Sequence, residues 1–215
     1  MSRPKKIDCC TGQPAPSKQE AILAAAQAVF LDSGYAAASM DAVAALANVS
    51  KATIYAHFSS KRALFEEMIG ARCSVAFAPL PLPECYSDAR QALYEMAAHF
   101  VSLLMAPEAL ALHRVIMGES PRLPEVGEAF YSVGPVRAIQ RLTALLSDLA
   151  RRGLLALDEE EMPLAIDLFT GMLKGDMHLR AVLGVPPKPG MTPERLAAGA
   201  ADMFMARYGV KPANR

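Results

Sequence analysis

Residues 39–65 read SMDAVAALANVSKATIYAHFSSKRALF. Ser39 can offer its hydroxyl oxygen to the orphan N–H groups of a helix start, and Asp41 falls in the positive first turn. Val43, Leu46 and Ala47 give this short helix an apolar side. Asn48-Val49 interrupts it, and Ser50 is the next cap. The following helix spans about Lys51 to Phe58. Ile54 and Phe58, four apart, turn inward onto Val43, Leu46 and the preceding helix. Ser59-Ser60 ends that helix and opens another, from Lys61 to about Ala78. Two short helices joined by a tight turn, the second only about two turns long, predict a helix-turn-helix.

In such a unit the first helix braces against the DNA backbone and the second enters the major groove, which is about 12 Å wide. Phosphate repels carboxylate, and no acidic residue stands between Asp41 and Glu66. That interval carries Lys51, His57, Lys61 and Arg62 with several hydroxyl side chains. Residues 1–77 have a net charge of +2 and the remainder −2, within a balanced total. The sign suits nucleic acid, although the size is small. Lys51 is placed to reach a base edge or a phosphate, and Thr53 to offer a hydroxyl and a methyl group to a base. Ala52 allows close approach to the groove floor. Tyr55 and His57 are placed for phosphate, Lys61 meets the backbone from the next helix start, and Ser39 does so from the other side. An ordinary solvated polar face is the alternative for the cations.

Outward from this unit the chain reads helical throughout. Ser17 and Glu20 form a capping box for a first helix carrying Ile22, Ala26, Val29 and Phe30 on one face. Gly34 just beyond its end predicts a left-handed cap. Prolines at 79, 81 and 83 interrupt the helices as a stiff hinge. Beyond it, helices are expected near 87–105, 108–119, 123–132, 135–152, 160–183 and 193–208. The fold class is therefore all-α: an N-terminal helix-turn-helix unit followed by a helical bundle. Residues 1–16 are expected to be a flexible arm, 17–77 a DNA-binding domain, and 84–210 an effector-binding and dimerisation domain.

Composition limits the other possibilities. The chain has 215 residues, of which 53% are hydrophobic and 20% charged. General disorder is excluded on that basis. No run of about 18 apolar residues is free of charge and proline, so no membrane span is expected. A signal peptide is not visible and a cytoplasmic location is expected. Cys9, Cys10, Cys73 and Cys85 form no C-x-x-C pair, and Cys9-Cys10 reads as two ordinary thiols in an exposed tail. His99, His113 and His178 lack metal-ligand spacing, and Asp158-Glu159-Glu160-Glu161 reads as a helix-start cluster. No catalytic signature or phosphate loop is present. Neither metal, cofactor nor enzymatic activity is expected.

Residues 17–65 resemble the N-terminal domain of TetR-family transcriptional regulators. The resemblance lies in the Ala-rich first helix ending F-x-x-x-G-Y, the S-M-x-x-V-A segment, A-N-V-S-K-A-T-I-Y-A-H-F, and S-K-R-A-L-F. It implies that Ser39, Lys51, Thr53, Tyr55, His57 and Lys61 stand where the family contacts operator DNA. Ala52 departs from the glycine often found there, and alanine is the better helix former. HRVIMGESPRLPEVGEAFYSVGP and GMLKGDMHLRAVLG are similar to AefR-like C-terminal domains of the same family.

Two-fold operators call for a dimer, with helices near 135–152 and 160–183 forming a four-helix seam. The candidate interface residues are Arg141, Leu145, Leu164, Leu168, Gly171, Gly175 and Leu179. Periodicity alone leaves that stripe equally open to intramolecular core, and the resemblance favours the interface. It also implies a pocket for a small hydrophobic effector. Candidate lining residues are Met96, His99, Phe100, Leu103, Met117, Phe130, Phe169 and Met172, with Tyr131 or His178 as polar groups. Plain core is the alternative for these too. The function expected is a homodimeric repressor that leaves double-stranded operator DNA when its effector binds. The alternatives are an activator of the same fold or a helical interaction module without a DNA role.

Overall fold

The structure is a computed structural model that describes residues 17–76 and 88–210. The N-terminal arm, the Pro79–Pro83 hinge, Cys9, Cys10 and Cys85 lie outside those residues. Eleven helices are formed among the described residues. They are α1 (Lys18–Ala37), α2 (Met40–Leu46), α3 (Lys51–His57), α4 (Lys61–Ala76), α5 (Ala89–Met105) and α6 (Pro107–Glu119). The rest are α7 (Pro124–Val133), α8 (Pro135–Arg151), α9 (Met162–Leu173), α10 (Asp176–Leu183) and α11 (Pro193–Tyr208). An isolated bridge between Leu155 and Gly209 is the only extended pairing among the described residues.

Local chemistry sets the helix starts. The Ser17 hydroxyl accepts from the Glu20 N–H at 3.2 Å while the Ser17 N–H donates to the Glu20 carboxylate at 2.6 Å. Ser39 accepts from the Ala42 N–H and Ser50 from the Thr53 N–H, both at 3.0 Å. Four consecutive bundle helices, α6 to α9, open with proline in the first turn, where no amide hydrogen is needed.

Tertiary packing gathers two cores. One holds Phe30, Tyr35, Ile54, Phe58, Leu64 and Phe65, and it continues into Leu112 and Ile116 of α6 and Val126 and Ala129 of α7. Phe30 and Phe65 meet edge to face at 5.2 Å, and Tyr35 meets Phe65 at 4.9 Å. The other core joins α5, α8, α9 and α11 around Phe100, Leu146, Phe169 and Phe204. α6 and α7 therefore stand on the helix-turn-helix unit as well as on the bundle.

Four expectations need correction. The single helix over 160–183 is two helices, because the backbone turns at Gly175 with a non-helical ψ of −148° and starts again as α10. Glycine is a weak helix former, and here it marks the joint between the two helices. Gly34 is not a left-handed cap: its φ of 78° and ψ of 169° kink α1 before Tyr35 enters the core. Leu46 does not pack under Ile54. It is 58% exposed, because Val43 and Ala44 take the inward face of α2. Leu145 is buried within the bundle core, so it is not free to form an interface.

Candidate DNA-binding surface and effector cavity

The turn between α2 and α3 is closed by backbone alone. Asn48 adopts a φ of 52°, which asparagine tolerates better than most residues. The Val49 N–H then reaches the Ala44 carbonyl at 3.0 Å. α3 leaves this turn with Ile54 fully buried, and Phe58 just beyond its end is buried with it. The 3.6-residue period consequently exposes Lys51, Ala52, Tyr55, Ala56 and His57 on the opposite side. Ser39 at the start of α2 is exposed as well. The Thr53 hydroxyl lies 2.8 Å from that of Ser50, so capping and the outward face share a polar pair. Ser50→Ala removes both contacts and is expected to cost about 1 kcal/mol, measured by denaturant unfolding.

The two lysines differ in their surroundings. Lys51 donates to the Asp41 carboxylate at 2.8 Å, and this bond holds its ammonium above the usual lysine range. Lys61 donates to the Ala36 carbonyl at 3.1 Å and lies 4.8 Å from the Tyr35 ring centroid. Burial lowers its pKa, partly offset by the nearby Glu119 carboxylate. Lys61 thus also braces the α1–α2 joint, a role the sequence reading missed. Glu119, the last residue of α6, accepts from the Ala36 N–H at 2.8 Å. The same joint is held from α4 and from α6.

A cavity of about 770 Å³ opens between the helix-turn-helix unit and the bundle. α1 contributes Leu23 and Gln27, and α4 contributes Met68 and Ile69. His99, Phe100 and Leu103 of α5, Leu112 and His113 of α6, and Phe130 and Tyr131 of α7 form further walls. Ile139 of α8 and Asp167, Thr170 and Lys174 of α9 complete it. Of the candidate lining residues, His99, Phe100, Leu103, Phe130 and Tyr131 are present. Met96 and Phe169 are in the bundle core, and Met172 packs partly buried against it. Met117 is 58% exposed. His178 stands behind the cavity wall, its ring 5.0 Å from that of His113. The Leu23, Gln27 and Met68 contributions had no periodic signal, since they come from a different unit of the chain. No group of three or more potential metal ligands occurs among the described residues.

Except for Leu145, the candidate interface residues are exposed in the single chain. Leu164, Leu168 and Leu179 are each about half exposed, and a side chain at Gly171 would meet open space. Arg141 is exposed on α8 and Gly175 at the α9–α10 joint. No single helix among the described residues is long and apolar enough to cross a membrane.

Comparison with known proteins agrees with this arrangement. Residues 22–68 match the profile of bacterial regulatory proteins of the tetR family, and residues 91–210 match the AefR-like transcriptional repressor C-terminal domain. The flavonoid-responsive regulator FrrA is 32% identical, with a TM-score of 0.75 over 91% of this chain and 98% of its own. A TetR-family regulator from Mesorhizobium loti is 28% identical, also with a TM-score of 0.75, over 90% of this chain and 97% of its own. The HTH-type transcriptional activator FasR of Mycolicibacterium smegmatis is 48% identical over 52 residues, 24% of each chain. The chain thus spans about a quarter of the length of that curated relative. With the exposed α3 face and both profiles in agreement, the chain belongs to the TetR family of DNA-binding transcriptional regulators, with an AefR-like C-terminal domain.

Proposed function

We propose that the protein is a homodimeric repressor that a small hydrophobic effector releases from its operator. The observation that carries this reading is the shared cavity, walled by α1 and α4 on one side and by bundle helices on the other. A ligand that fills such a space has different contacts when the two sides move apart, and differential contact is what shifts a conformational equilibrium. Residues 17–77 act as the DNA-binding unit and 84–210 as the effector and dimer unit. The half-exposed leucines of α9 and α10 supply the two-fold seam, which places two recognition helices about 34 Å or a small multiple apart. FrrA, flavonoid-responsive by its name, supports a ligand response in this fold.

At the DNA surface, Thr53 reads the groove, Lys51 reaches a base edge or a phosphate, and Ser39, Tyr55, His57 and Lys61 hold the backbone. Lys51 must leave Asp41 to reach DNA, and an exposed, solvent-screened pair of this kind gives way readily. Gel shifts on the DNA upstream of its own gene test the reading. Binding is expected to weaken steeply with salt. Lys51→Ala and Tyr55→Ala lower the affinity with dimerisation intact, and Lys51→Ala reduces the salt slope by about one. Asp41→Asn frees Lys51 and is expected to raise affinity severalfold. Unchanged affinity in both alanine variants counts against the site assignment. The second reading is an activator, favoured by the 48% identity of the helix-turn-helix region to FasR. A reporter fused to the bound promoter distinguishes the two by sign.

A further inference from the structure

We propose that the ligand of this cavity is an amphipathic acid: an apolar body carrying one carboxylate or acidic hydroxyl, received by Lys174 and His113. The inference rests on the effector reading above and specifies its chemistry. The apolar part of the cavity wall comes from Leu103, Leu104, Leu112, Phe130 and Ile139. Such a lining takes hydrocarbon and leaves a few polar groups to choose the ligand.

Two basic side chains, His113 of α6 and Lys174 of α9, line the cavity together with Asp167 and Thr170 of α9. His113 lines the cavity, and its Nδ1 lies 2.9 Å from the Ala109 carbonyl. A carbonyl only accepts, so Nδ1 carries the proton, and the neutral ring presents Nε2 as an acceptor. His178 packs against His113 at 5.0 Å, and its buried Nε2 has no hydrogen-bond partner among the described residues. Lys174 lines the cavity from the end of α9, exposed at its rim, and makes no ion pair among the described residues.

Lys174 disfavours charge on both histidines, and His113 disfavours it on His178. Burial lowers the pKa of His113 first, with Lys174 adding to the effect. Burial also lowers His178, helped by both His113 and Lys174. Lys174 is lowered by burial alone. No carboxylate offsets the shift at any of them. Glu20 and Asp167 also line the cavity, but Glu20 is engaged in the Ser17 cap, and neither carboxylate shifts His113, His178 or Lys174. His99 and Tyr131 are the remaining titratable groups on the wall. A cluster of bases without a counter-charge, beside an apolar chamber, is complementary to an anion with a hydrocarbon body.

The acid enters as its anion and pairs with the Lys174 ammonium, while His113 Nε2 takes a proton from solvent and donates it to the second oxygen. Binding is therefore coupled to proton uptake. His113, with its pKa below the ordinary 6.5, is neutral in the free protein at pH 7 and charged in the complex. Affinity for the acid should fall as pH rises, by up to about tenfold per unit.

Flexible and flat acids share this chemistry, so decanoate and 2-naphthoate are titrated calorimetrically into the full-length protein beside decanol, 2-naphthalenemethanol and decylamine. Release of operator DNA is followed separately. At least one acid is expected to bind ten times tighter than its alcohol and to bind tighter at pH 6.5 than at pH 8.5. Lys174→Met should reduce that preference below threefold, and Lys174→Arg should retain it. His113→Gln should remove the pH dependence. Alcohols that bind as tightly as the acids, or tighter binding of decylamine, overturn the acid preference and leave the effector reading standing. If none of the five compounds binds, both fall.

Discussion

Replacing Gly34 with alanine is expected to destabilise the protein by about 2–4 kcal/mol and to weaken operator binding at the same time. Two costs combine. The φ of 78° with ψ of 169° is a conformation that residues with a β-carbon rarely adopt, a penalty of order 1–3 kcal/mol. The new methyl group also overlaps the Glu119 carboxylate. Glu119 must then swing away from the Ala36 N–H, which loses a hydrogen bond to a charged acceptor. Such bonds contribute roughly 1.5–3 kcal/mol, less where solvent reaches them as it does here. Denaturant unfolding measures the stability and a gel shift the affinity. Adding Glu119→Ala to Gly34→Ala relieves the overlap but not the backbone strain, so it should restore only part of the loss. Full stability of the single variant would sink the reading of this joint.

The second large effect is expected at the outer leucine face. If the proposed homodimer forms through this face, Leu168→Asp combined with Leu179→Asp should convert it to a monomer and lower operator affinity by two orders of magnitude or more. Both side chains are about half exposed in the single chain, so the substitutions leave the bundle core intact. Across a two-fold seam each would bury an unpaired carboxylate, which costs several kcal/mol per ion. One helix-turn-helix without its partner then keeps only its own half of the phosphate contacts. Sedimentation velocity reads the mass and gel shift the affinity. A dimer that persists at micromolar concentration with unaltered DNA binding would move the seam elsewhere.

α9 carries both the proposed seam and part of the cavity wall. Leu164, Leu168 and Gly171 face outward along one side, while Asp167, Thr170 and Lys174 line the cavity from the adjacent side. At its C-terminal end the Gly175 joint leads into α10. There Arg114 of α6 donates to the Ala181 and Val182 carbonyls, each at 2.7 Å. α6 lines the cavity through Ala109, Leu112 and His113, meets α10 through Arg114 one residue later, and ends at Glu119 against the α1–α2 joint. One helix thus touches the α10 end, the chamber and the DNA-binding unit.

The caps and the outward face of α3 were legible from residue order. Ser17, Ser39 and Ser50 each act on an amide three residues away, and Ile54 with Phe58 can only turn the same way. Lys51, Tyr55 and His57 follow from that inward anchor. The fate of Leu46 was not legible, because α2 offers more apolar residues than its packing face accepts. Leu145 shows the converse: a periodic stripe on α8 shows amphipathicity without naming the surface that covers it.

By itself, then, the order of amino acids determined the serine-capped helix starts, most of the helices, and the polar side of the recognition helix, since each depends on groups within about one or two turns of one another; the break at Gly175 was not among them. Only the tertiary structure decided that α6 and α7 stand on the DNA-binding unit, that Leu23 and Met68 help wall the chamber, and that Glu119 holds an amide 83 residues distant. The physical reason is that an apolar or polar group is indifferent to the chain position of its partner. Such contacts arise from packing complementarity between whole helices, which no local spacing records.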